Sequence, residues 1–581
     1  MKTKLFKIFL ISSCFISSMC YCNNTPQEDK ITKALLSLAE ALRAEKKIDE
    51  ALSYYNQVLE RDPTNLVSIF GLGKIYQSKK EYPKAIEYFT KKLNVAPNSS
   101  KTELELAKTY EQNKNLDEAI THYKKALSID SLSIKAITGL AHALSKNKEI
   151  NKAIDMCKKG LRIDKTSVTI RRKLIDLLTK KKNYQEAIHH CDILIQTQKN
   201  NASFKLKKAH LLILGEKTNE ALKLFRQLDK SFPNNPSIVY NIAYLYKKKG
   251  EYEKAINLYQ QVIKKEPKNR NAILGISDAY LALGHLKLGF KYLDMYNGNH
   301  TNRLRLKNLN NIKGKKILLQ AEWLPEDMIL YARFIKKLKE AGATKVVTQT
   351  PRNLVGLLKK CCPEIDVVLN LHKKESTTFN AFAPISSLPH LFEITLKTIP
   401  AACPYMEAPQ VLVDAWQEKT KHNPKFKIGI HIPSYAEVPI EQIMEIANLD
   451  HISLYVLHNV QDKHLKRVDS SKVVHVCGKG FGGTEQDFLD MAAIIKTMDL
   501  IITSDSYVAH LAGALGQPVW VILNKVAKWQ WMTKRSDSPW YPTMKLLRQK
   551  EDDSWDDTIA DLLACADEFA KEKAEEGIEK K

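Results

Sequence analysis

Residues 100–133 read SKTELELAKTYEQNKNLDEAITHYKKALSIDSLS, and residues 134–167 read IKAITGLAHALSKNKEINKAIDMCKKGLRIDKTS. Set one above the other, Ala107 falls over Ala141, Ala119 over Ala153 and Tyr123 over Cys157. Extending the same rows in both directions from Thr32 brings Ala51, Ala85, Ala119, Ala153, Ala187, Ala221 and Ala255 into one column, which Gly289 continues. Four positions on, a second column holds Tyr55, Phe89, Tyr123, Cys157, Cys191, Phe225, Tyr259 and Leu293. An earlier column of small residues holds Ala39, Gly73, Ala107, Ala141, Ala209 and Ala243, interrupted by Ile175, and Pro63, Pro97, Pro233 and Pro267 close four rows. A fixed period of this length makes each row one supersecondary unit that buries its apolar face against its neighbours.

These columns resemble the tetratricopeptide repeat, a 34-residue helix pair with small residues at the closest crossing and proline in the turn to the next unit. The resemblance covers residues 32–300 as eight repeats, so the expected architecture is an α-solenoid with a continuous core and a concave groove. It implies a protein or peptide partner in that groove, either an extended segment or a helix. A spacer that only positions the following domain is the alternative, and no single groove residue stands out.

The rest of the composition is consistent with a long helical chain. Of 581 residues 44% are apolar, while Gly 21 and Pro 21 are few for this length, which excludes a disordered or collagen-like chain. The formal charge is +25, most of it before residue 300. Its lysines are scattered, without interleaved aromatics or a recognition motif, so nucleic acid is not an expected partner. The N-terminus, MKTKLFKIFLISSCFISSMCYCNN, has Lys2, Lys4 and Lys7 ahead of an apolar run shorter than a bilayer requires. It reads as a signal peptide over 1–22, cut after Cys22, and predicts an exported protein, periplasmic or secreted, with no transmembrane span in the mature chain. Ile11 to Cys14 also fit a lipobox, which would attach the chain to a membrane through a lipid on Cys14. Cys157 and Cys191 fall at apolar repeat positions and read as buried thiols, and Cys361 with Cys362 lacks zinc-type spacing, so neither a metal nor a cofactor is expected.

Beyond His300 the period stops. Short apolar runs at 316–320, 345–348 and 367–371 alternate with helical stretches at 326–341 and 354–361, and a second series follows at 426–432, 452–457, 473–476, 500–503 and 519–523. That alternation predicts parallel α/β sheets in two doubly wound halves, 312–425 and 426–550, with a C-terminal helix and charged tail over 551–581. Two such halves leave a ligand cleft between them.

The most informative stretch here is LIITSDSYVAHLAGALGQPVW, residues 500–520. A strand ends at Thr503, a polar turn holds Asp505 and Ser506, and a helix of small residues carries His510. The free N–H groups and positive dipole end of such a helix suit a diphosphate, with Ser506 adding a hydroxyl and His510 reaching the same anion one turn on. Asp505 as a plain helix cap and His510 as a core histidine are the alternatives. Trp529, Trp531, Trp540 and Tyr541 read as packing residues.

Together with Gln517 to Trp520, Asp537 to Thr543, Ser387 to Pro389, Ile399, Pro400 and Pro404, this stretch resembles the heptosyltransferase-like, family 9-like glycosyltransferases, including bacterial ones in which tetratricopeptide repeats precede such a domain. The resemblance covers about 312–550 and implies a two-Rossmann GT-B architecture, a nucleoside diphosphate sugar donor, and Asp505, Ser506 and His510 as donor-phosphate contacts. It also implies that Asp327 is the general base of an inverting transfer. Two departures stand against it. The family's Gly-Leu-Gly-Asp turn is here Ala321 to Asp327 without glycine, and its basic turn is replaced by Pro433 to Glu437, with Lys525, Lys528 or Lys534 left to supply positive charge. The expected function is a glycosyltransferase whose repeats choose a protein or surface-polymer acceptor; the alternative is a catalytically degenerate repeat scaffold that mediates protein–protein interaction.

Overall fold

The computed structural model describes residues 25–199, 201–298, 304–310, 312–321, 324–370, 378–421, 425–433, 435–458, 462–469, 472–476, 484–550 and 554–579. The expected signal segment, Cys14 and Cys22 lie outside them. The chain forms two compact units, Met1–Leu224 and Phe225–Lys581.

Sixteen helices in sequence occupy the described part of the repeat region, as eight pairs. They are α1 (Thr25–Ala44), α2 (Ile48–Arg61), α3 (Leu66–Ser78), α4 (Tyr82–Val95), α5 (Ser100–Gln112), α6 (Leu116–Ile129), α7 (Ile134–Lys146), α8 (Ile150–Ile163), α9 (Val168–Lys180), α10 (Tyr184–Thr197), α11 (Ala202–Leu214), α12 (Thr218–Ser231), α13 (Pro236–Lys248), α14 (Tyr252–Lys265), α15 (Arg270–Ala282) and α16 (Leu286–Asn297). The seven alanines of the main column are all fully buried, as are Phe89, Cys157, Cys191 and Phe225 of the next. Small residues let paired helices approach closely, and Gly73 of the earlier column shows how closely: a Cβ there would lie 2.7 Å from Phe89 Cε1.

Two further columns punctuate the repeats. Asn65, Ser99, Ser133, Asn201, Asn235 and Asn269 cap the first helix of their repeats through side-chain oxygens that accept backbone N–H bonds. After the first helix of each repeat Lys46, Lys80, Lys114, Lys148, Lys182 and Glu216 adopt φ of 60 to 67°, where Gly250 and Gly284 stand in the last two repeats. This left-handed residue turns the chain into the second helix of each pair.

In the second unit the last repeats share one core with a parallel sheet region. Leu281, Leu286 and Phe290 belong to the same apolar cluster as Ile317 and Trp540. Phe290 meets the rings of Trp529 and Trp540 edge-on at 5.6 and 6.3 Å. The first sheet comprises β1 (Lys316–Gln320), β2 (Lys345–Thr350), β3 (Val367–Asn370) and β4 (Ala381–Pro384), in the order β3-β2-β1-β4. The second comprises β5 (Phe426–His431), β6 (Ile452–Val456), β7 (Val473–His475), β8 (Leu500–Ser504), β9 (Val519–Leu523) and β10 (Met544–Arg548), in the order β10-β9-β8-β5-β6-β7. Every pairing is parallel. Strands β6, β8 and β9 are buried along their whole length, as parallel strands covered on both faces must be. From its first strand the second sheet runs 3-2-1-4-5-6, the doubly wound order whose ligand crevice lies at the carboxyl ends of β5 and β8.

Helices α17 (Pro325–Ala332) and α18 (Phe334–Glu340), with Arg333 between them, replace the single helix expected over 326–341. Strands β4 and β10 were not expected. The remaining helices are α19 (Val355–Cys361), α20 (Leu388–Leu391), α21 (Gln410–Thr420), α22 (Ile440–Ile443), α23 (Glu485–Lys496), α24 (Tyr507–Ala514) and α25 (Asp556–Glu579). The last is the expected C-terminal helix, and its Ile559, Leu562, Ala566 and Ala570 cover the second sheet. No helix among the described residues is long and apolar enough to cross a membrane.

Candidate functional site

His431 ends β5 and Ser504 ends β8, so the crevice of the second sheet opens between them. Thr503 Oγ1 donates to the His431 carbonyl at 2.7 Å, which ties the two strand ends together. With that hydrogen used, the Ser506 hydroxyl donates to Thr503 Oγ1 at 3.0 Å and lies 3.5 Å from His431 Nδ1. Ser506 is 1% exposed and makes no side-chain cap to α24. Its hydroxyl is therefore engaged in the strand ends instead of facing an anion.

His510 lies in α24, also 1% exposed. Its Nδ1 is 2.9 Å from Tyr541 Oη, and its ring stacks on Trp531 with centroids 4.8 Å apart. Burial, with the charges of Lys528 and Arg333, depresses its pKa to about 3, so it is neutral near pH 7. The core-histidine alternative describes this environment. Nε2 of His510 and Oγ of Ser504 are among the buried polar atoms of this region left without a hydrogen-bond partner among the described residues. Trp531, Trp540 and Tyr541 are fully buried, in keeping with their reading as packing residues.

Charge at the crevice is set by three groups. Lys528 Nζ lies 3.5 Å from Asp505 Oδ1 and 3.4 Å from Glu326 Oε1. Burial works to discharge Lys528, but the two carboxylates outweigh it and hold its pKa above the usual lysine value. Burial raises the pKa of Asp505, partly offset by Lys528. Of the residues expected here, Asp505, Ser506 and His510 share one loop and helix. The acid that reaches them is Glu326, the neighbour of Asp327 on the first turn of α17. Lys528 is thus bridged by two carboxylates.

Behind His510 lies a buried arginine that the sequence did not single out. Arg333 donates from Nε to the Leu330 carbonyl at 2.9 Å, from Nη1 to the Trp540 carbonyl at 2.6 Å, and from Nη2 to Tyr405 Oη at 3.0 Å. Its guanidinium stands 4.5 and 4.6 Å from the Tyr405 and Tyr541 ring centroids. With no carboxylate partner among the described residues, the cation is held by carbonyl dipoles and aromatic faces. The chain Arg333, Tyr405, Tyr541, His510 joins the helix break after β1 to the helix after β8, with the two tyrosine oxygens 3.4 Å apart.

The first unit has a groove of about 560 Å³ between the first helices of the third, fourth and fifth repeats, lined by residues that include Lys135, Thr138, Gly139, His142, Arg172 and Lys173. Its floor carries Tyr123, whose hydroxyl donates to Glu111 at 3.0 Å. Burial opposes ionisation of Glu111, but bonds from His142 and Lys146 lower its pKa to about 2. No group of three or more His, Cys, Asp or Glu among the described residues is placed to hold a metal ion.

Comparison with known families supports the repeat reading. Residues 171–288 match the model of the N-terminal tetratricopeptide repeat region of Psidin, and residues 44–126 that of anaphase-promoting complex, cyclosome, subunit 3. The chain carries tetratricopeptide repeats. They make it a scaffold suited to protein–protein interaction. Among solved structures, PilF of Pseudomonas aeruginosa is 21% identical over 36% of this chain and 94% of its own, with a TM-score of 0.30. A repeat protein of Parabacteroides merdae is 14% identical over 42% and 97%, with a TM-score of 0.31. Another, of Cytophaga hutchinsonii, is 17% identical over 42% and 99%, with a TM-score of 0.38. No curated protein matches the chain.

Proposed function

We propose that the chain works as a repeat scaffold that binds a protein partner, with a sheet region that has the doubly wound form but no competent transfer centre. The observation that carries this reading is Lys528 held between Asp505 and Glu326, together with the inward hydroxyl of Ser506 and the buried ring of His510. A leaving diphosphate needs uncompensated positive charge, and this crevice offers a cation already paired twice. The partner-binding surface is the groove of the first unit. A peptide array probed with the full chain tests it: binding that Thr138→Trp abolishes supports the groove, and an array that captures nothing removes the scaffold reading.

A second reading keeps the glycosyltransferase, in a GT-B arrangement. The 3-2-1-4-5-6 strand order favours it, since a crevice at β5 and β8 is where a nucleotide would sit. In that reading Asp505, Ser506 and His510 hold the donor phosphates after rearrangement, Asp327 removes the acceptor proton, and the groove chooses a protein or surface-polymer acceptor. Export through residues 1–22, with Cys14 lipidation as the variant, belongs to either reading. Intact mass from a secreting host decides it: loss of the first 22 residues supports cleavage after Cys22, a lipid adduct supports Cys14, and a chain beginning at Met1 removes export.

A further inference from the structure

The groove of the first unit contains more positive charge than its acids can match. Its two lining carboxylates are already partnered. Glu111 Oε1 is 2.6 Å from His142 Nδ1 and 3.1 Å from Lys146 Nζ, and Asp176 Oδ1 is 2.8 Å from Lys207 Nζ. Lys108 likewise pairs with Glu105 at 2.8 Å. Lys135, Arg172 and Lys173 line the same groove and make no side-chain hydrogen bond or ion pair among the described residues. They come from successive repeats, Lys135 on α7 and the other two on α9. Gly139 lines the groove between them, and the buried Tyr123 ring fills the space that a side chain there would take. An extended segment lying in this groove brings its side chains within reach of cations from both repeats.

We infer that this groove takes an extended acidic peptide segment, whose carboxylates pair with Lys135, Arg172 and Lys173. This rests on the scaffold reading and adds the chemistry of the partner. Burial and the neighbouring charge of Lys180 lower the pKa of Lys173, a cost that an incoming carboxylate offsets. Arg172 supplies a planar fork for bidentate contact, and Lys135 a mobile point charge.

The test titrates the full chain against fluorescein-labelled, terminally blocked peptides of equal length: an Asp-Gly-Ser repeat, its Asn counterpart and its Lys counterpart. A single-stranded oligonucleotide of scrambled sequence is the fourth probe. The Asp peptide is expected to bind, the Asn peptide about tenfold more weakly, and the difference to shrink as salt rises. Combined Lys135→Gln, Arg172→Gln and Lys173→Gln should weaken the Asp peptide by about tenfold or more and leave the Asn peptide unchanged. Lys124→Gln, an exposed lysine on α6 outside the groove, should change neither. Thermal unfolding equal to that of the parent shows the triple variant folded; if it is not, the exposed Lys135→Gln alone should still weaken the Asp peptide selectively. Equal binding of Asp and Asn peptides, or indifference to these substitutions, overturns the inference while leaving a peptide groove. Tighter binding of the oligonucleotide with the same sensitivity overturns it in favour of a nucleic-acid site. Binding of no peptide at all removes the scaffold reading as well.

Discussion

The ring of Tyr123 occupies the space that a side chain at Gly139 would need: a Cβ built there lies 2.3 Å from Tyr123 Cε1. The same pairing recurs as Tyr55 with Gly71 and Tyr259 with Gly275, at 2.4 and 2.5 Å. Where the ring is absent, as at Cys157 and Cys191, the corresponding positions are Lys173 and Lys207. Glycine therefore accompanies tyrosine along the array, whereas opposite Phe89 and Phe225, which lack the hydroxyl, stand Glu105 and Asn241. Gly139→Ala should destabilise the first unit by about 1–3 kcal/mol through overpacking, and combining it with Tyr123→Cys should recover part of that loss. Chemical denaturation of both variants checks it; equal midpoints for parent and Gly139→Ala would refute the steric account.

The left-handed turn positions make a second prediction. Lys114 and Lys148 hold φ of 67 and 64° at a position filled by glycine in the last two repeats. Lys148→Gly removes a backbone cost of about 1–2 kcal/mol and adds about 0.5–1 kcal/mol of chain entropy loss, for a small net gain. Gly250→Ala should lose stability by a comparable amount. Thermal scans of the two variants should move in opposite directions.

Acid should weaken the second unit from just below neutral pH. Burial depresses His431 to about 3 and His458 to about 4, and His510 also to about 3. Unfolded, each takes up a proton near its usual pKa of about 6.5. The unfolded state therefore binds more protons as pH falls from about 6.5 towards the folded values, and stability drops over that window. Together the three should cost several kcal/mol by about pH 4.5. Tryptophan-monitored denaturation from neutral pH downwards reads the effect, and a flat profile above about pH 4.5 would contradict the buried placement of these rings.

Arg333→Lys removes the planar fork and leaves the Trp540 carbonyl and Tyr405 hydroxyl without its donors. The loss should be about 2–4 kcal/mol, with an earlier change in Trp531 and Trp540 fluorescence than in the helical signal of the repeats. Unfolding indistinguishable from the parent would show that the guanidinium is not holding these segments.

The repeats were legible because their period is carried by buried small residues, each constrained by a helix crossing nearby in sequence. Strands β4 and β10 were not. Each pairs with one strand and is met on its other side by a single bridge, from Arg305 to Phe382 and from Asp537 to Lys545, so Ala-Phe-Ala-Pro can end in proline and Met-Lys-Leu-Leu-Arg can carry two partly exposed cations. The helix break at Arg333 was invisible because its reason, a cation held by Trp540 and Tyr405, lies far along the chain. At the crevice, Asp327 and Glu326 differ by one residue, which turns a helical side chain by about 100° and decides which carboxylate meets Lys528. The inward placement of His510 depends on Trp531 and Tyr541, whose position no local pattern gives.

Titration calorimetry of the full chain against a panel of nucleoside diphosphates tests the account most directly, because it asks whether the crevice at β5 and β8 still takes a phosphate donor. With Lys528 already bridged by Asp505 and Glu326, the account predicts no saturable heat for any nucleotide. Saturable binding that Lys528→Ala and His510→Ala each weaken would contradict it and restore the transferase.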